Sequence, residues 1–490
     1  MLRWPSPTVL LLLALGLASA PLSAARAPLS AHEDPTRLEH ALDAVDVDSL
    51  EADVRFLADE ELAGRDTPSE GLETAALYFA ARLGRLGFSP AGSGDFYHRW
   101  RLVRTGLDPT GSGLLVKRAQ GTERRLFQSD YYLARSSHAF PCVTDGAVVS
   151  AGDGSGDAFE GRDLTGSWAL VFDHGASVRR ILRRARAAGA LGVLFGETEH
   201  VTKGYEAKYA RIAEVTGRDG LTYRPEPLPA SQDLPYLMLR RHALLALTGG
   251  EETLAPGTRL PLRLREERVV RTGDVEVKNV AGFWPGRDPE LAREVLIVSA
   301  HYDHLGVAED GAVYHGADDN ASGSSGLLAV AEALAAYGPL RRSVLLLWVS
   351  GEEKGLWGSD AWARAPELPP GCTAVANVNI DMIGRTAPEE LYLTPTDAHP
   401  AFNRVAQAAY DLAPLEGFPT LASQDEDWNR SDHANFAKHL AIPVAFLSAG
   451  EHPDYHRTTD TAEKIDYAKL ARITRLVVRL LDRLEDGPLR

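Results

Sequence analysis

Cysteine is nearly absent from this 490-residue chain, which holds only Cys142 and Cys372. Two cysteines exclude both a disulfide framework and a zinc site built from thiolates. Hydrophobic residues make up 44% of the chain and charged residues 24%, as is ordinary for a globular protein with a sizeable core. The stability of the fold must therefore come from packing.

Positive charge is also scarce, because 52 Lys and Arg residues stand against 68 Asp and Glu, for a formal net charge of −16. An acidic surface repels phosphate backbones and anionic lipids. We therefore expect no nucleic-acid partner and no electrostatic attachment to a membrane.

Long apolar runs are missing except near the N-terminus, where Val9 to Ala20 follow Arg3 and precede the small residues Ala25 and Ala27. This pattern predicts a secretory signal peptide over residues 1–27 and an exported protein, periplasmic or extracellular. A membrane anchor is the alternative, but the run is shorter than the ~20 residues that span a bilayer. We expect no membrane span after signal removal.

The chain is too long for one hydrophobic core, and its sequence pattern divides it into three stretches. Residues 33–128 form a predicted N-terminal helical part, in which Thr67, Pro68 and Glu70 are a capping signal for a helix that reaches Leu86. Residues 129–270 read as a β-rich domain without catalytic clusters, and its Arg-rich segment "SVRRILRRARAAG" as a solvated helix face. Residues 275–490 alternate between strands and helices.

The alternating part contains four continuous apolar runs, "EVLIVSA", "SVLLLWVS", "AVANVNI" and "IPVAFLSAG". Such runs are typical of strands buried on both faces of a parallel sheet. The fold class is therefore predicted to be α/β, with a mostly parallel, doubly wound sheet flanked by helices. Functional residues of such sheets collect beyond the carboxyl ends of the strands.

Acidic residues and histidines follow each of these strands, and two further aspartates precede a helix in the loop "HGADDNASG". The candidates are His301, Asp303, His304, Asp318, Asp319, Glu352, Glu353, Asp381, His452, Asp454, Tyr455 and His456. Each has a plain structural explanation alone: a hydrogen-bonded strand end, a solvated turn or a helix cap. Gathered on one edge of one sheet, they would repel one another unless cations neutralise them.

Imidazole and carboxylate ligands without thiolate favour zinc, with manganese or cobalt as alternatives. The number of good ligands indicates two ions. Of the adjacent pair Glu352 and Glu353, one carboxylate can bind a metal while the other accepts a proton, since burial beside a like charge raises its pKa.

Five motifs in this order resemble the M28 family of zinc metallopeptidases, the two-zinc aminopeptidases: "AHYDHLG", "GADDNASG", "SGEEKGLWGS", "NIDMIG" and "PDYHRTTDT". They extend over about Asn279 to Asp466. The segment "FLADEELAGR" also resembles bacterial members. The β-rich region 129–270 resembles the protease-associated (PA) domain inserted in some of them, which makes 33–128 and 275–490 parts of one peptidase domain.

The resemblance implies which residues bind the metals. One zinc would be held by His301 and Asp381, the other by Glu353 and His456, and Asp318 would bridge the two. A non-proline cis peptide bond between Asp318 and Asp319 is also implied. The remaining histidines would lie outside the ligand set, either behind the ligands or at the surface: His304, His315, His433 and His452.

The resemblance also implies catalytic roles. Glu352 would be the general base, Asp303 would orient the ring of His301, and Tyr455 would help to stabilise the oxyanion of the transition state. The expected activity is the hydrolysis of the N-terminal peptide bond of a peptide substrate.

Three alternatives share these features. A carboxypeptidase of the same superfamily would need a cation such as Arg430 or Arg457 for the substrate carboxylate. A glutaminyl cyclase has a related fold but a single zinc. A binding or receptor-like relative would have lost its catalytic groups, whereas Glu352 is present here.

Overall fold

The computed structural model describes residues 35–92, 94–108, 110–125, 130–133, 142–172, 177–198, 220–224 and 234–489. The predicted signal peptide lies outside the described residues. No helix within the described ranges is long and apolar enough to cross a membrane.

Eighteen strands are described. In chain order they are β1 (Ser89–Pro90), β2 (Tyr97–Leu107), β3 (Gly113–Arg118), β4 (Gly121–Arg125), β5 (Tyr131–Leu133), β6 (Cys142–Ser150), β7 (Ser167–Phe172), β8 (Gly192–Gly196), β9 (Gly220–Tyr223), β10 (Tyr236–Leu239), β11 (Arg259–Arg268), β12 (Val270–Trp284), β13 (Glu294–His301), β14 (Ser343–Val349), β15 (Thr373–Ile380), β16 (Tyr392–Thr394), β17 (Ala422–Ser423) and β18 (Val444–Ser448).

Eleven α-helices are described along with these strands. They are Pro35–Asp43, Val47–Leu57, Glu70–Leu86, Gly156–Phe159, Val178–Ala187, Arg241–Thr248, Gly323–Tyr337, Trp357–Arg364, Arg404–Leu412, His433–Leu440 and Tyr467–Leu484.

The larger sheet has the order β17-β16-β18-β15-β13-β14-β12-β2-β9, with β1 paired to β12. Its four central strands, β18, β15, β13 and β14, are parallel. The strands β12, β2 and β9 on one side pair antiparallel, as does β16 with β18 on the other. The α/β class is confirmed. The sheet is mixed rather than mostly parallel, because β12, β2, β9 and β16 add antiparallel pairs at its flanks.

Helices cover both faces of this sheet, as the apolar strands predicted. Alternate residues of β13 and β14 point to opposite faces, so Val298 and Leu346 pack in one core and Ile297 and Leu347 in the other. The first core includes helices Gly323–Tyr337 and Tyr467–Leu484, and the second includes Trp362 and Phe436 from two shorter helices. The sheet is doubly wound, and its carboxyl edge stays free to carry a site.

The N-terminal helical part differs from its prediction at the cap of helix Glu70–Leu86. Ser69, not Thr67, is the N-cap, and its hydroxyl accepts a hydrogen bond from the Leu72 amide at 3.0 Å. The Thr67–Pro68 peptide bond is cis. The Thr67 hydroxyl instead forms hydrogen bonds with Asp303 and Gly351, near the ends of β13 and β14.

The second sheet has the order β4-β3-β11-β6-β7-β8-β10-β5 and its own apolar core around Trp168 and Leu170. It begins at Gly113, earlier than the predicted boundary at residue 129, because β3 pairs with the distant β11. Strand β9, from the same stretch of chain, pairs instead with β2 in the larger sheet. The stretch of chain that forms the second sheet therefore also contributes one strand, β9, to the larger sheet.

Candidate metal centre

The carboxyl ends of three parallel strands meet at one place. His301 is the last residue of β13, Glu352 and Glu353 follow β14 after a turn, and Asp381 follows β15 directly. Because β13 lies between β14 and β15 in the sheet, its histidine is flanked on both sides by carboxylates.

The first group of side chains surrounds His301. Its Nε2 atom lies 3.1 Å from Asp381 Oδ1, 3.4 Å from Asp319 Oδ1 and 4.0 Å from Glu352 Oε2. Ser431 Oγ donates a hydrogen bond of 2.8 Å to the other oxygen of Asp381. One nitrogen and several carboxylate oxygens thus converge on a space that a cation fits.

The second group contains Glu353 and two histidines. His456 Nε2 lies 3.1 Å from Glu353 Oε2 and 3.2 Å from Asp319 Oδ2. His304 Nδ1 lies 2.7 Å from the other oxygen of Glu353 and 3.7 Å from Asp319 Oδ2. His304 is fully buried and forms, with Asp319 and Glu353, a group that could hold a metal ion, although the sequence placed it outside the ligand set.

Asp319 is the residue shared by the two groups, since one of its oxygens faces His301 and the other faces His456. The neighbouring Asp318 turns away from this space. Its Oδ1 accepts a hydrogen bond of 2.6 Å from the Gly384 amide, and its Oδ2 lies 3.3 Å from His452 Nε2. The structure thus places Asp319, rather than the predicted Asp318, between the two groups.

The loop that carries these aspartates differs from the prediction in a second respect. The non-proline cis peptide bond joins Asp319 to Asn320, one residue later than expected. Asp460 Oδ2 accepts hydrogen bonds from the amides of Asp318 and Asp319, at 2.9 and 3.1 Å, and so holds the loop in place.

Glu352 lies next to the first group, with its carboxylate 4.0 Å from His301 Nε2. Burial, followed by the nearby carboxylates of Asp381, Asp432 and Glu353, raises its pKa well above the ordinary value. A carboxylate in this environment accepts a proton readily. Glu352 therefore lies beside the first group as a largely buried carboxyl group with a raised pKa.

The Asp303 carboxylate was predicted to orient the ring of His301, but its hydrogen bonds go elsewhere. His301 Nδ1 lies 3.2 Å from the backbone oxygen of Asp303 and 3.8 Å from its carboxylate. The carboxylate instead accepts hydrogen bonds from the Glu352 amide, at 3.2 Å, and from Thr67 Oγ1, at 3.0 Å. Asp303 thus positions the glutamate backbone as well as the histidine.

Thr67 was not a candidate from the sequence, yet it belongs to this network. Its hydroxyl donates to Asp303 and accepts a hydrogen bond of 3.0 Å from the Gly351 amide, next to Glu352. The side chain is fully buried. No local signal could reveal this role, because Thr67 and Gly351 are 284 residues apart in the chain.

We expect Thr67→Val to destabilise the protein by ~1–3 kcal/mol, because valine leaves the Asp303 carboxylate and the Gly351 amide without a buried partner. Urea unfolding in the presence of a chelator measures this loss. The matched control is Thr474→Val, because the Thr474 hydroxyl is also buried but donates only to the Leu470 carbonyl of its own helix. Equal losses in both variants would show that Thr67 adds nothing beyond an ordinary buried threonine.

Tyr455 lies at the rim of the second group. Its ring stacks on His456, with the ring centroids 3.8 Å apart, and Arg430 Nη2 approaches its hydroxyl at 3.5 Å. Burial, then the charges of Asp319 and Glu353, raise the pKa of the phenol, so it stays a proton donor. A pocket beside Asp381 is lined in part by Tyr455, Met382 and Phe446.

The remaining predicted histidines do not face either group. His452 contacts Asp318, His315 Nδ1 lies 2.9 Å from the Ala58 carbonyl oxygen, and the ring of His433 stacks against Phe446. Asp454 forms an ion pair with Arg385 at 2.9 Å. These residues support the loops around the site.

The pKa values of the two histidines show that the surrounding carboxylates favour positive charge in the site. Burial lowers the pKa of His301, but the carboxylates of Asp381 and Glu352 outweigh it and hold the pKa well above its ordinary value. The pKa of His456 rises to about 10 for the same reason, with Asp319 and Glu353 as the carboxylates. Moreover, Asp319 Oδ2 is buried without a hydrogen-bond partner. The donor set therefore fits divalent cations.

A sheet that gathers histidines and carboxylates at the ends of its parallel strands has the arrangement of a metal-dependent hydrolase. Residues 279–481 match the model of peptidase family M28.

Curated relatives also match part of the chain. A protein named probable leucine aminopeptidase, from Arthroderma otae, is 30% identical over 39% of this chain and 54% of its own length. The uncharacterized protein YfbL of Escherichia coli is 28% identical over 45% of this chain and 74% of its own. The chain thus spans about half the length of the fungal relative.

One solved structure extends the likeness to nearly the whole chain. The aminopeptidase from Aneurinibacillus sp. strain AM-1 has a TM-score of 0.51 and 19% identity, covering 92% of this chain and 97% of that one. At this identity the similarity shows a shared fold.

Proposed function

We propose that the protein is a metal-dependent aminopeptidase with two zinc ions, for which manganese or cobalt could substitute. The observation that carries this proposal is the position of Asp319 between two groups of ligand atoms. We assign His301 and Asp381 to one ion and Glu353 and His456 to the other, with Asp319 as the bridging ligand in place of Asp318. When bound, such ions polarise the scissile carbonyl and lower the pKa of a water molecule.

The protein's own residues then divide the remaining work. Glu352 accepts the proton of the attacking water and later donates it to the leaving amine. Asp303 holds the Glu352 backbone and the His301 ring, so that base and ligand keep a fixed separation. Tyr455, which stays protonated, donates a hydrogen bond to the oxygen on which negative charge develops.

The surroundings of Arg430 favour release from the N-terminus rather than the C-terminus. A carboxypeptidase needs a free cation for the substrate carboxylate, but Arg430 pairs with Asp427 at 3.1 Å and with Glu451 at 2.7 Å. The pocket edge therefore presents compensated or negative charge. Such an edge suits the α-ammonium group of a peptide. The relatives named as aminopeptidases support the same assignment.

We further infer that the second sheet is a PA domain inserted into the peptidase domain and that it influences substrate access. This role is supported by β9, which lies in the chain between strands of the second sheet but pairs with β2 in the larger sheet. Tyr223 donates a hydrogen bond of 3.1 Å to Asp360 and packs edge to face against Trp100, near the segment that follows Glu352 and Glu353. The predicted signal peptide supports export to the periplasm or beyond the cell.

The test compares a peptide that has a free N-terminus with its N-acetylated twin, each with and without a chelator. We expect chelator-sensitive release of the first residue from the free peptide only, because acetylation removes the ammonium charge that the pocket edge selects. Restoration by added zinc is the control for the chelator. Equal cleavage of both peptides, or release of the last residue, would contradict the aminopeptidase assignment.

A further inference from the structure

A buried arginine lies directly behind the metal centre and comes from outside the matched family segment. Arg65 is 1% exposed and ends the short helical segment Glu60–Arg65. The family match begins at residue 279. The site is therefore completed by a part of the chain more than 200 residues upstream.

The guanidinium of Arg65 joins the two backbone segments that carry the ligands. Its Nε donates to the Tyr302 carbonyl at 3.0 Å, immediately after His301. Its Nη1 and Nη2 donate to the carbonyls of His315 and Gly316, each at 3.0 Å, where the Asp319 loop begins. A further bond from Nη1 reaches the Leu57 carbonyl at the end of helix Val47–Leu57.

The backbone around Arg65 repeats the same connection. The Arg65 carbonyl accepts a hydrogen bond of 3.2 Å from the His304 amide, and the Gly64 carbonyl accepts one of 3.1 Å from the Gly306 amide. Gly64 has φ +65°, and a Cβ there would lie 2.3 Å from the Gly306 oxygen. Only glycine allows this close approach.

The charge of Arg65 and its hydrogen bonds predict opposite effects on metal binding. Burial lowers the pKa of Arg65 to about 10, so the guanidinium stays charged at neutral pH and repels cations. If charge dominated, removing it would tighten metal binding. If the carbonyl bonds dominate, removing them loosens the two ligand segments relative to each other and weakens metal binding. The fan of planar donors matched to four separate carbonyls favours the second effect.

We propose that Arg65 is a positioning residue of the metal centre, which holds the end of β13 and the Asp319 loop in register before metal binds. This inference rests on the proposed function only in taking the Asp319 centre as a zinc site. Arg65 touches none of the ligand side chains itself.

The experiment measures zinc affinity by chelator competition for wild type, Arg65→Lys and Arg65→Gln. Lysine keeps the charge but cannot reach all the carbonyls, and glutamine loses the charge as well. We expect zinc to bind about 10-fold to 100-fold more weakly in both variants, the range typical for partners that orient ligands. The matched control is Arg342, which is 2% exposed and donates to the carbonyls of Leu484 and Gly487, at the C-terminal end of helix Tyr467–Leu484.

A second readout needs no metal. In chelated protein, we expect the amides of residues 302–306 and 316–321 to exchange hydrogen faster in Arg65→Lys than in wild type or Arg342→Lys. Tighter zinc binding in Arg65→Gln, or unchanged zinc affinity and amide protection in Arg65→Lys, would overturn the proposal. If wild type bound no zinc, the proposed function would fail, and the amide exchange alone would decide whether Arg65 holds the two segments.

Discussion

Glu352→Gln is expected to lower kcat by about 10²-fold to 10⁴-fold while both metals stay bound. Glutamine has nearly the same shape but cannot accept a proton from water, and general-base catalysis contributes roughly this factor. The Asp303 carboxylate bonds to the Glu352 backbone amide, not to its side chain, so the substitution leaves that contact intact. Steady-state kinetics with the free-N-terminus peptide, together with the zinc content of the purified protein, provide the measurement.

The control for this substitution is Glu389→Gln, an exposed glutamate in the loop before β16, which should retain wild-type kinetics. If Glu352→Gln lost zinc along with activity, Glu352 would be a ligand rather than the base, as its 4.0 Å distance from His301 Nε2 would also allow. Near-normal turnover with full metal content would remove Glu352 from the mechanism.

Asp319→Asn should weaken zinc binding by roughly 100-fold or more and abolish turnover at ordinary zinc concentrations. Orienting partners already contribute 10-fold to 100-fold to metal affinity, and a shared ligand contributes to both ions. Asparagine has one side-chain oxygen and no charge, so it cannot offer one oxygen to the ion beside His301 and another to the ion beside His456. Zinc affinity by chelator competition is the measurement.

Asp318→Asn is the matched comparison, since it makes the same chemical change one residue earlier. Its amide oxygen can still accept the hydrogen bond from the Gly384 amide, so we expect a change in zinc affinity of about 10-fold or less. The reverse order, with Asp318→Asn losing zinc and Asp319→Asn retaining it, would restore the residue that the sequence motif suggested.

The choice between these two aspartates shows where motif reasoning ends. The pattern "GADDNASG" places two carboxylates side by side, and neighbouring residues point in different directions. Which one faces the strand ends depends on the turn at Gly316, on the cis bond after Asp319 and on Asp460, which is 141 residues away from Asp319. None of these determinants can be derived from the motif itself.

Local composition was sufficient for the four parallel strands at the centre of the larger sheet, but not for its antiparallel flanks. Continuous apolar runs predicted β13, β14, β15 and β18. Strands covered by helices on both faces have no face exposed to water, so their sequences do not alternate between apolar and polar residues. The cap at Ser69 was missed, because Thr67 and Pro68 formed an equally plausible local signal.

By itself, the sequence determined the α/β class, the resemblance of residues 279–481 to the M28 family and the collection of acidic residues and histidines at the strand ends, because these depend on local patterns. Tertiary structure alone decided that Asp319 lies between the two groups, that Arg65 and Thr67 support them, and that the second sheet begins at Gly113. Each of these depends on contacts between distant segments. The partners in these hydrogen bonds meet only when the chain has folded, so they cannot be predicted from patterns of neighbouring residues.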